Sequence, residues 1–309
     1  MPTELERGRG AWLGLAVGDA LGAPVEFLTA EAVAARHGRL REMVAGGVWR
    51  KGEWTDDTAL AIAAAHAYGQ PGGPGFALEA AGQAMLRWFA SEPKDVGNLT
   101  RLALGLMARG GLPAAEAGAE AARRRPGSAG NGSLMRAAPT GLVRQPGDAR
   151  LAEESRALSR VTHADSRCTE ACVAFNAALS ALVHAGAGPR VALASAREAV
   201  AGLQPEVEAV VAGVLAGAPP LHARGSIGFV LLCLEVGLTA LRDAPSFEQG
   251  LVEVVNLGGD SDTNGAVAGA LLGARFGLAA IPARWLDALL GRDELEAAWA
   301  RLDAARAQP

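Results

Sequence analysis

The sequence predicts an all-α fold, and three observations carry that prediction. Apolar residues recur at spacings of one, three and four along much of the chain, the pattern that lines one face of a helix. Sustained period-two alternation with β-branched residues is missing almost everywhere, so strands are at most minor. Clusters of Gly and Pro, at Gln70 to Gly75, Arg125 to Gly132, Gln145 to Gly147 and Ala216 to Pro220, break the chain into helix-sized pieces joined by turns.

The first piece carries Trp12, Leu13, Ala16, Ala20 and Leu21 on one face and ends at Gly22 and Pro24. Similar stripes run through Ala59 to Tyr68, Ala84 to Phe89 and Leu99 to Met107. Further helices are predicted from about Leu151 to Val161, Thr169 to His184, Val191 to Leu203, Glu206 to Leu215, Ser226 to Leu241, Phe247 to Val255, Ala266 to Phe276 and Asp293 to Ala305. No boundary or internal repeat separates these pieces, so residues 1–309 are read as one domain.

Half of the 309 residues are apolar, enough for a substantial core. The formal net charge is −4, which offers no cationic excess to nucleic acid or anionic lipid, so neither partner is expected. Cys168, Cys172 and Cys233 are odd in number and form no CxxC pair, which supports neither a disulfide framework nor a zinc site. Cys168 and Cys172, one helical turn apart, read as small core residues on one face. The start, MPTELERGRG, lacks a secretory pattern, and the apolar run from Phe229 to Leu241 is too short to cross a bilayer and is interrupted by Glu235. A cytoplasmic protein is the expectation.

Chemistry concentrates where acids meet helix starts. Glu53-Trp54-Thr55-Asp56-Asp57-Thr58 directly precedes an apolar helical run. One Asp or Thr suffices to cap a helix. Thr55, Asp56 and Asp57 together supply hard oxygen ligands of the kind that suit Mg²⁺ or Mn²⁺. Gly258-Gly259-Asp260-Ser261-Asp262-Thr263-Asn264-Gly265 repeats the design ahead of another helix. It is not a calcium hand, because the bidentate Glu that such a loop needs at its twelfth position is Leu271 here. If the fold brings both starts together, four carboxylates and two hydroxyls surround one centre, and like charge crowded in that way calls for cations. Two divalent ions are the economical inference.

Three further pieces are weaker alone. The segment GLAVGDALGAPVEF ends a helix of small residues and leaves Glu26 in the following turn as a functional candidate, while Asp19 reads either as a buried structural acid or as a ligand. Gly127 to Arg136 is a flexible turn feeding a helix, able to offer backbone N–H groups to an anion. It matches neither the dinucleotide fingerprint nor the phosphate loop. Asp95-Val96-Gly97-Asn98 and Thr162-His163-Ala164-Asp165 each place polar groups between helices, as an ordinary cap also does.

Taken in order, GLAVGDALGAPVEF, TDDT at Thr55 to Thr58, DVGN at Asp95, GNGSLMR, TH at Thr162 and GGDSDTNGA resemble the ADP-ribosylglycohydrolase family, most of all its bacterial dinitrogenase reductase-activating branch. The resemblance spans about Gly10 to Leu286. It implies an orthogonal multi-helix bundle and a binuclear Mg²⁺ or Mn²⁺ site held by Thr55, Asp56, Asp57, Asp260, Asp262 and Thr263. It implies Glu26 and Asp95 as acid/base candidates, Gly130, Asn131, Gly132, Ser133 and Met135 as the diphosphate and ribose pocket, and His163 at the nucleotide. Relatives stack adenine on an aromatic residue near Ser226 to Val230, where Phe229 is the residue available. The function implied is removal of ADP-ribose from a modified protein or an ADP-ribose-containing small molecule, with arginine as the linkage and serine as the alternative. The family also includes crystallin-like members that keep the bundle without activity, and cleavage of the diphosphate is a further rival.

Overall fold

The computed structural model describes residues 1–69, 75–218 and 227–306, and among these it is helical with isolated bridges only. The turn positions 70–74 and 219–220, and Ser226, lie outside the described residues. In chain order the helices are α1 (Glu4–Gly22), α2 (Ala30–His37), α3 (Asp56–Ala65), α4 (Leu78–Ala90), α5 (Asn98–Gly110), α6 (Ala114–Arg124), α7 (Ala138–Val143) and α8 (Ala149–Arg160). They continue with α9 (Ser166–Val183), α10 (Pro189–Val200), α11 (Pro205–Ala216), α12 (Val230–Asp243), α13 (Phe247–Val255), α14 (Ser261–Phe276), α15 (Ala283–Ala288) and α16 (Arg292–Arg306).

The centre of the fold is the antiparallel pair α1 and α14, which bury nearly every residue they bring together. Gly10, Gly14, Gly18 and Gly22 recur one turn apart on α1 and face Gly273, Gly269, Gly265 and Ser261 of α14. A Cβ on Gly18 would stand 1.9 Å from the carbonyl oxygen of Gly265, and one on Gly269 would stand 2.1 Å from that of Gly14. The two backbones are therefore in direct contact, which only a glycine seam permits. Both helices point one end at the same place: the last turn of α1 carries Asp19, and the first turn of α14 carries Asp262.

Around this pair, α9 is buried along almost its full length and packs on α7, α8 and α10, while α12 and α13 cover α14. Cys168 and Cys172 on α9 and Cys233 on α12 are free and buried. Tyr68, the single tyrosine, is buried, with its hydroxyl donating to Glu154 at 3.0 Å.

Four helices escape the periodicity argument, one of them α7, whose six residues are all buried and so leave no polar face to mark a period. In α6 the buried stripe is Ala114, Ala117, Gly118 and Ala121, residues too small to register as an apolar face. In α2 Val33 is the one buried position, and α15 spans six residues with Trp285 as its buried anchor. Boundaries also move. A capping box between Thr3 and Glu6 starts α1 at Glu4, earlier than the apolar stripe suggests. A left-handed Gly228 and a bridge between Gly130 and Phe229 hold the chain non-helical until Val230. The helix expected from Ala266 opens at Ser261, so Asp262 and Thr263 lie within its first turn and not ahead of it.

Candidate metal centre and ligand cavity

Asp19 is fully buried at the end of α1 and caps the start of α3 from outside. Its carboxylate accepts the backbone N–H of Thr55 at 3.0 Å, that of Thr58 at 3.0 Å and the Thr58 hydroxyl at 2.5 Å. Free N–H groups at a helix start need acceptors, and a buried carboxylate needs donors, so each satisfies the other. Thr55 is the N-cap of α3, and its hydroxyl lies 3.0 Å from Asp57 Oδ2. The other oxygen, Asp57 Oδ1, is buried with no hydrogen-bond partner among the described residues.

At α14 the chain doubles back through Gly258 and Gly259, both with positive φ. A Cβ on Gly258 would meet Leu28 O at 2.5 Å, so glycine is required there. The turn is tied to the segment after α1: Phe27 N–H donates to Gly259 O and Gly259 N–H to Leu28 O, each at 2.7 Å. That short ladder holds Glu26 beside Asp260. Phe27 itself adopts φ 62° and is 63 % exposed, a strained conformation for an aromatic residue at the cavity edge.

Two groups of carboxylates result, Asp19 with Asp57 and Asp262, and Glu26 with Asp260 and Asp262, each offering oxygens within 4.8 Å of one another. Asp262 belongs to both. Asp56 belongs to neither, although it lines the same cavity. Burial is the largest influence on Asp19, Asp57 and Asp262 and holds their protons on: Asp19 rises to about 6, and Asp57 and Asp262 rise well above the usual range. Asp56, buried beside Asp95 and Asp19, rises to about 7. Glu26, partly buried and facing the charges of Asp260, Asp95 and Asp56, rises to about 8.

These acids open into a cavity of about 520 Å³. Of the expected site residues, Glu26, Asp56, Asp57, Asp95, Gly130, Asn131, Gly132, Met135, His163, Asp260, Asp262 and Thr263 all line it. The glycine turn is fixed to the acids, since Asn131 Nδ2 donates to Asp260 Oδ2 at 2.8 Å. It is fixed to the start of α12 through Asn131 N–H to Gly228 O and Val230 N–H to Ala129 O, both 3.0 Å. Thr55 lies below the wall, in its capping position. Ser133 lies behind the turn, where Ser159 donates to it at 2.9 Å and Cys172 at 3.6 Å. Phe229 lines a smaller neighbouring pocket of about 130 Å³ with Asn131 and Asp260, with the Arg167 guanidinium 5.8 Å from its ring centre.

Asp19, which the sequence reads as either a structural acid or a ligand, holds the helix start and has a place in one acid group as well. Phe27, Thr100 and Arg125 also line the cavity. No spacing signal marks them, because each arrives from a different element.

A sequence model of the family described as ADP-ribosylglycohydrolase matches residues 1–309. Among curated proteins, the ADP-ribosylarginine hydrolase Tri1 of Pseudomonas putida is 33 % identical over 92 % of this chain and 74 % of its own length. The ADP-ribosyl-(dinitrogen reductase) glycohydrolase of Rhodospirillum rubrum is 33 % identical over 93 % of this chain and 92 % of its own. A solved structure described as an ADP-ribosylglycohydrolase-related protein complex superposes with a TM-score of 0.81 at 36 % identity, covering 99 % of this chain and 100 % of that one. The all-helical bundle expected from the sequence is thus the fold of that solved protein as well.

Proposed function

The chain belongs to the ADP-ribosylglycohydrolase family, and from that membership we propose that it hydrolyses the N-glycosidic bond joining ADP-ribose to arginine side chains of modified proteins, with two divalent cations. The enzyme is a glycosidase acting on ADP-ribosyl linkages. Arginine is favoured over serine because two relatives are named for ADP-ribosylarginine. The substrate is an ADP-ribosylated protein or a small molecule carrying the same linkage.

The observation that carries this reading is the meeting of two acidic helix starts in one cavity, with Asp57 Oδ1 buried and unpartnered among the described residues. A bare buried carboxylate oxygen is costly, and a hard cation is the partner that its chemistry suits. We assign Thr55, Asp56, Asp57, Asp260, Asp262 and Thr263 as the ligand set; of these Asp57, Asp260 and Asp262 meet Asp19 and Glu26 in the two acid groups, which supports the assignment. All are oxygen donors, which favours Mg²⁺ and accommodates Mn²⁺. When bound, the cations supply positive charge that offsets the crowded acids and grips the hydroxyls of the distal ribose.

The rest is done by the chain. Asn131 and the glycine turn from Gly130 to Gly132 offer polar groups to the diphosphate, and Met135 and His163 close that side. Glu26 and Asp95 are the acid/base candidates. Water adds to the anomeric carbon, the bond to the guanidine nitrogen breaks, and the proton lost by water offsets the one gained by the leaving guanidine, giving ADP-ribose and arginine. Ionised acids close to that carbon stabilise the oxocarbenium character of the transition state. Glu26 is the better placed of the two, since its carboxyl belongs to the same group as Asp260 and Asp262 and holds its proton to about 8 without cations.

The test is release of ADP-ribose from an arginine-ADP-ribosylated protein, with Mg²⁺ or Mn²⁺ and after chelation, comparing the native chain with Asp262→Ala. Cation-dependent release that the variant loses supports the reading. Release of AMP in place of ADP-ribose, or no release with cations bound, overturns it.

A further inference from the structure

Arg136 closes the motif that begins at Gly130, yet it never reaches the cavity: it is 1 % exposed. Its terminal nitrogens donate to the carbonyl oxygens of Gly132 and Leu158, at 2.9 and 3.2 Å, and to Thr162 Oγ1 at 2.8 Å, while its buried Nε finds no partner among the described residues. Among the described residues no carboxylate hydrogen-bonds it, and the acid whose charge it senses is Asp56. A buried guanidinium without an acid partner is expensive, so its neighbours indicate what it does.

A guanidinium can only donate. Thr162 Oγ1 therefore accepts from Arg136, and among the described residues the one acceptor for its own buried proton is His163 Nδ1, at 2.6 Å, so the hydroxyl donates there. Nδ1 becomes the acceptor, and the ring carries its own proton on Nε2. Burial and the Arg136 charge push His163 down to about 3, so the ring is neutral across the physiological range. The Nε2 edge faces the glycine turn: a Cβ on Gly132 would meet His163 Cε1 at 2.9 Å and Nε2 at 3.2 Å, and one on Gly130 would meet Nε2 at 3.4 Å. His163 lines the cavity beside that turn.

We propose that Arg136 and Thr162 are positioning residues that lock His163 as its neutral Nε2–H tautomer, so that it presents one fixed donor to an oxygen of the diphosphate of the bound ligand, with the Arg136 charge behind the turn as the inner counter-charge. The proposal rests on the reading of this cavity as an ADP-ribose site. It gives a reason for two motif residues, the Arg that ends GNGSLMR and the Thr of TH, that ligation and acid/base chemistry leave unexplained. A neutral, fixed donor also keeps its strength when the acid wall changes charge, which a titrating imidazolium would not.

The experiment uses the full chain with Mg²⁺. Imidazole ¹⁵N spectra report the tautomer directly: a protonated Nε2 and a bare Nδ1 at His163 are expected, and a protonated Nδ1 overturns the relay without any variant. Calorimetry then compares native protein, Thr162→Val and Thr162→Ser. The valine variant is expected to mix the tautomers and to bind ADP-ribose about two- to tenfold more weakly, the worth of one oriented hydrogen bond. Serine restores both, and affinity for adenosine stays level in all three. An equal loss for adenosine, or a valine variant that keeps tautomer and affinity, sinks the assignment to the diphosphate. Native protein that binds no ADP-ribose instead overturns the proposed function, an outcome that the ¹⁵N spectrum keeps distinct from failure of the relay.

Discussion

Asp19 Oδ2 accepts both the backbone N–H and the hydroxyl of Thr58, so the last turn of α1 caps the first turn of α3 with a carboxylate 39 residues away in sequence. This contact sets where Thr55, Asp56 and Asp57 stand relative to α14, which α1 already holds by its glycine seam. Replacing Asp19 by Asn turns an amide N–H₂ toward donors that need an acceptor. Asp19→Asn is expected to lower stability by about 1–3 kcal/mol, the cost of leaving buried donors unsatisfied. Thermal unfolding of the variant would measure it, and an unchanged transition would show that the cap is dispensable.

The glycine seam predicts a second effect. A Cβ at Gly18 would lie 1.9 Å from a backbone oxygen, and no rotamer change relieves contact with backbone. Gly18→Ala should force α1 and α14 apart and lower stability by about 3 kcal/mol or more. It should weaken cation binding as well, because Asp19 and Asp262 sit on the two helices being separated. A folded variant with native cation affinity would contradict the view that the seam sets the acid geometry.

Cation stoichiometry follows from the way Asp262 is shared. It belongs to both acid groups, whereas Asp57 belongs to one and Asp260 to the other. Titration with Mn²⁺ should give two sites in the native protein, one strong site after Asp57→Ala or Asp260→Ala, and no strong site after Asp262→Ala. Equal losses for all three would point to a single ion.

Linkage predicts a pH dependence for the cation-free protein. Asp19, Asp56 and Glu26 hold their protons to about 6, 7 and 8 when folded, above ordinary values of 3.8, 3.8 and 4.5. Between those ordinary values and the folded ones, the folded state binds more protons than the unfolded chain, so stability falls as pH rises. The melting temperature should therefore decline from about pH 4 to pH 8 after chelation, and added Mg²⁺ should raise it more at pH 8 than at pH 5. A cation-free melting temperature that rises across that range would contradict the crowding of charge.

For the proton step, Glu26→Gln and Asp95→Asn separate the two candidates. Glu26→Gln is expected to lower turnover by at least ~100-fold, the scale of general acid/base catalysis, with ADP-ribose affinity retained. Asp95→Asn should reduce turnover less. The reverse order, measured at saturating substrate, would move the role to Asp95.

How much of this was legible beforehand differs by residue. The acid motifs at Thr55 to Asp57 and Asp260 to Thr263 could be read as helix starts because capping and ligation both draw on short oxygen-bearing side chains beside glycine, a local pattern. The helix class was legible for the same reason, since period 3.6 is local. Helix α6 was not, because a face built of Ala and Gly has no hydropathy contrast.

The sequence by itself determined an all-helical chain with two hard-ligand helix starts, a glycine turn and an ordered set of motifs, because each depends on neighbours a few residues apart. Only the tertiary structure decided that Asp19 and Glu26 join those acids, that Ser133 lies behind the turn and not on its face, and that Arg136 reaches His163 through Thr162. Those relations join residues brought together by the α1–α14 seam and by hydrogen bonds across loops, and such distances are set by packing, on which spacing along the chain is silent.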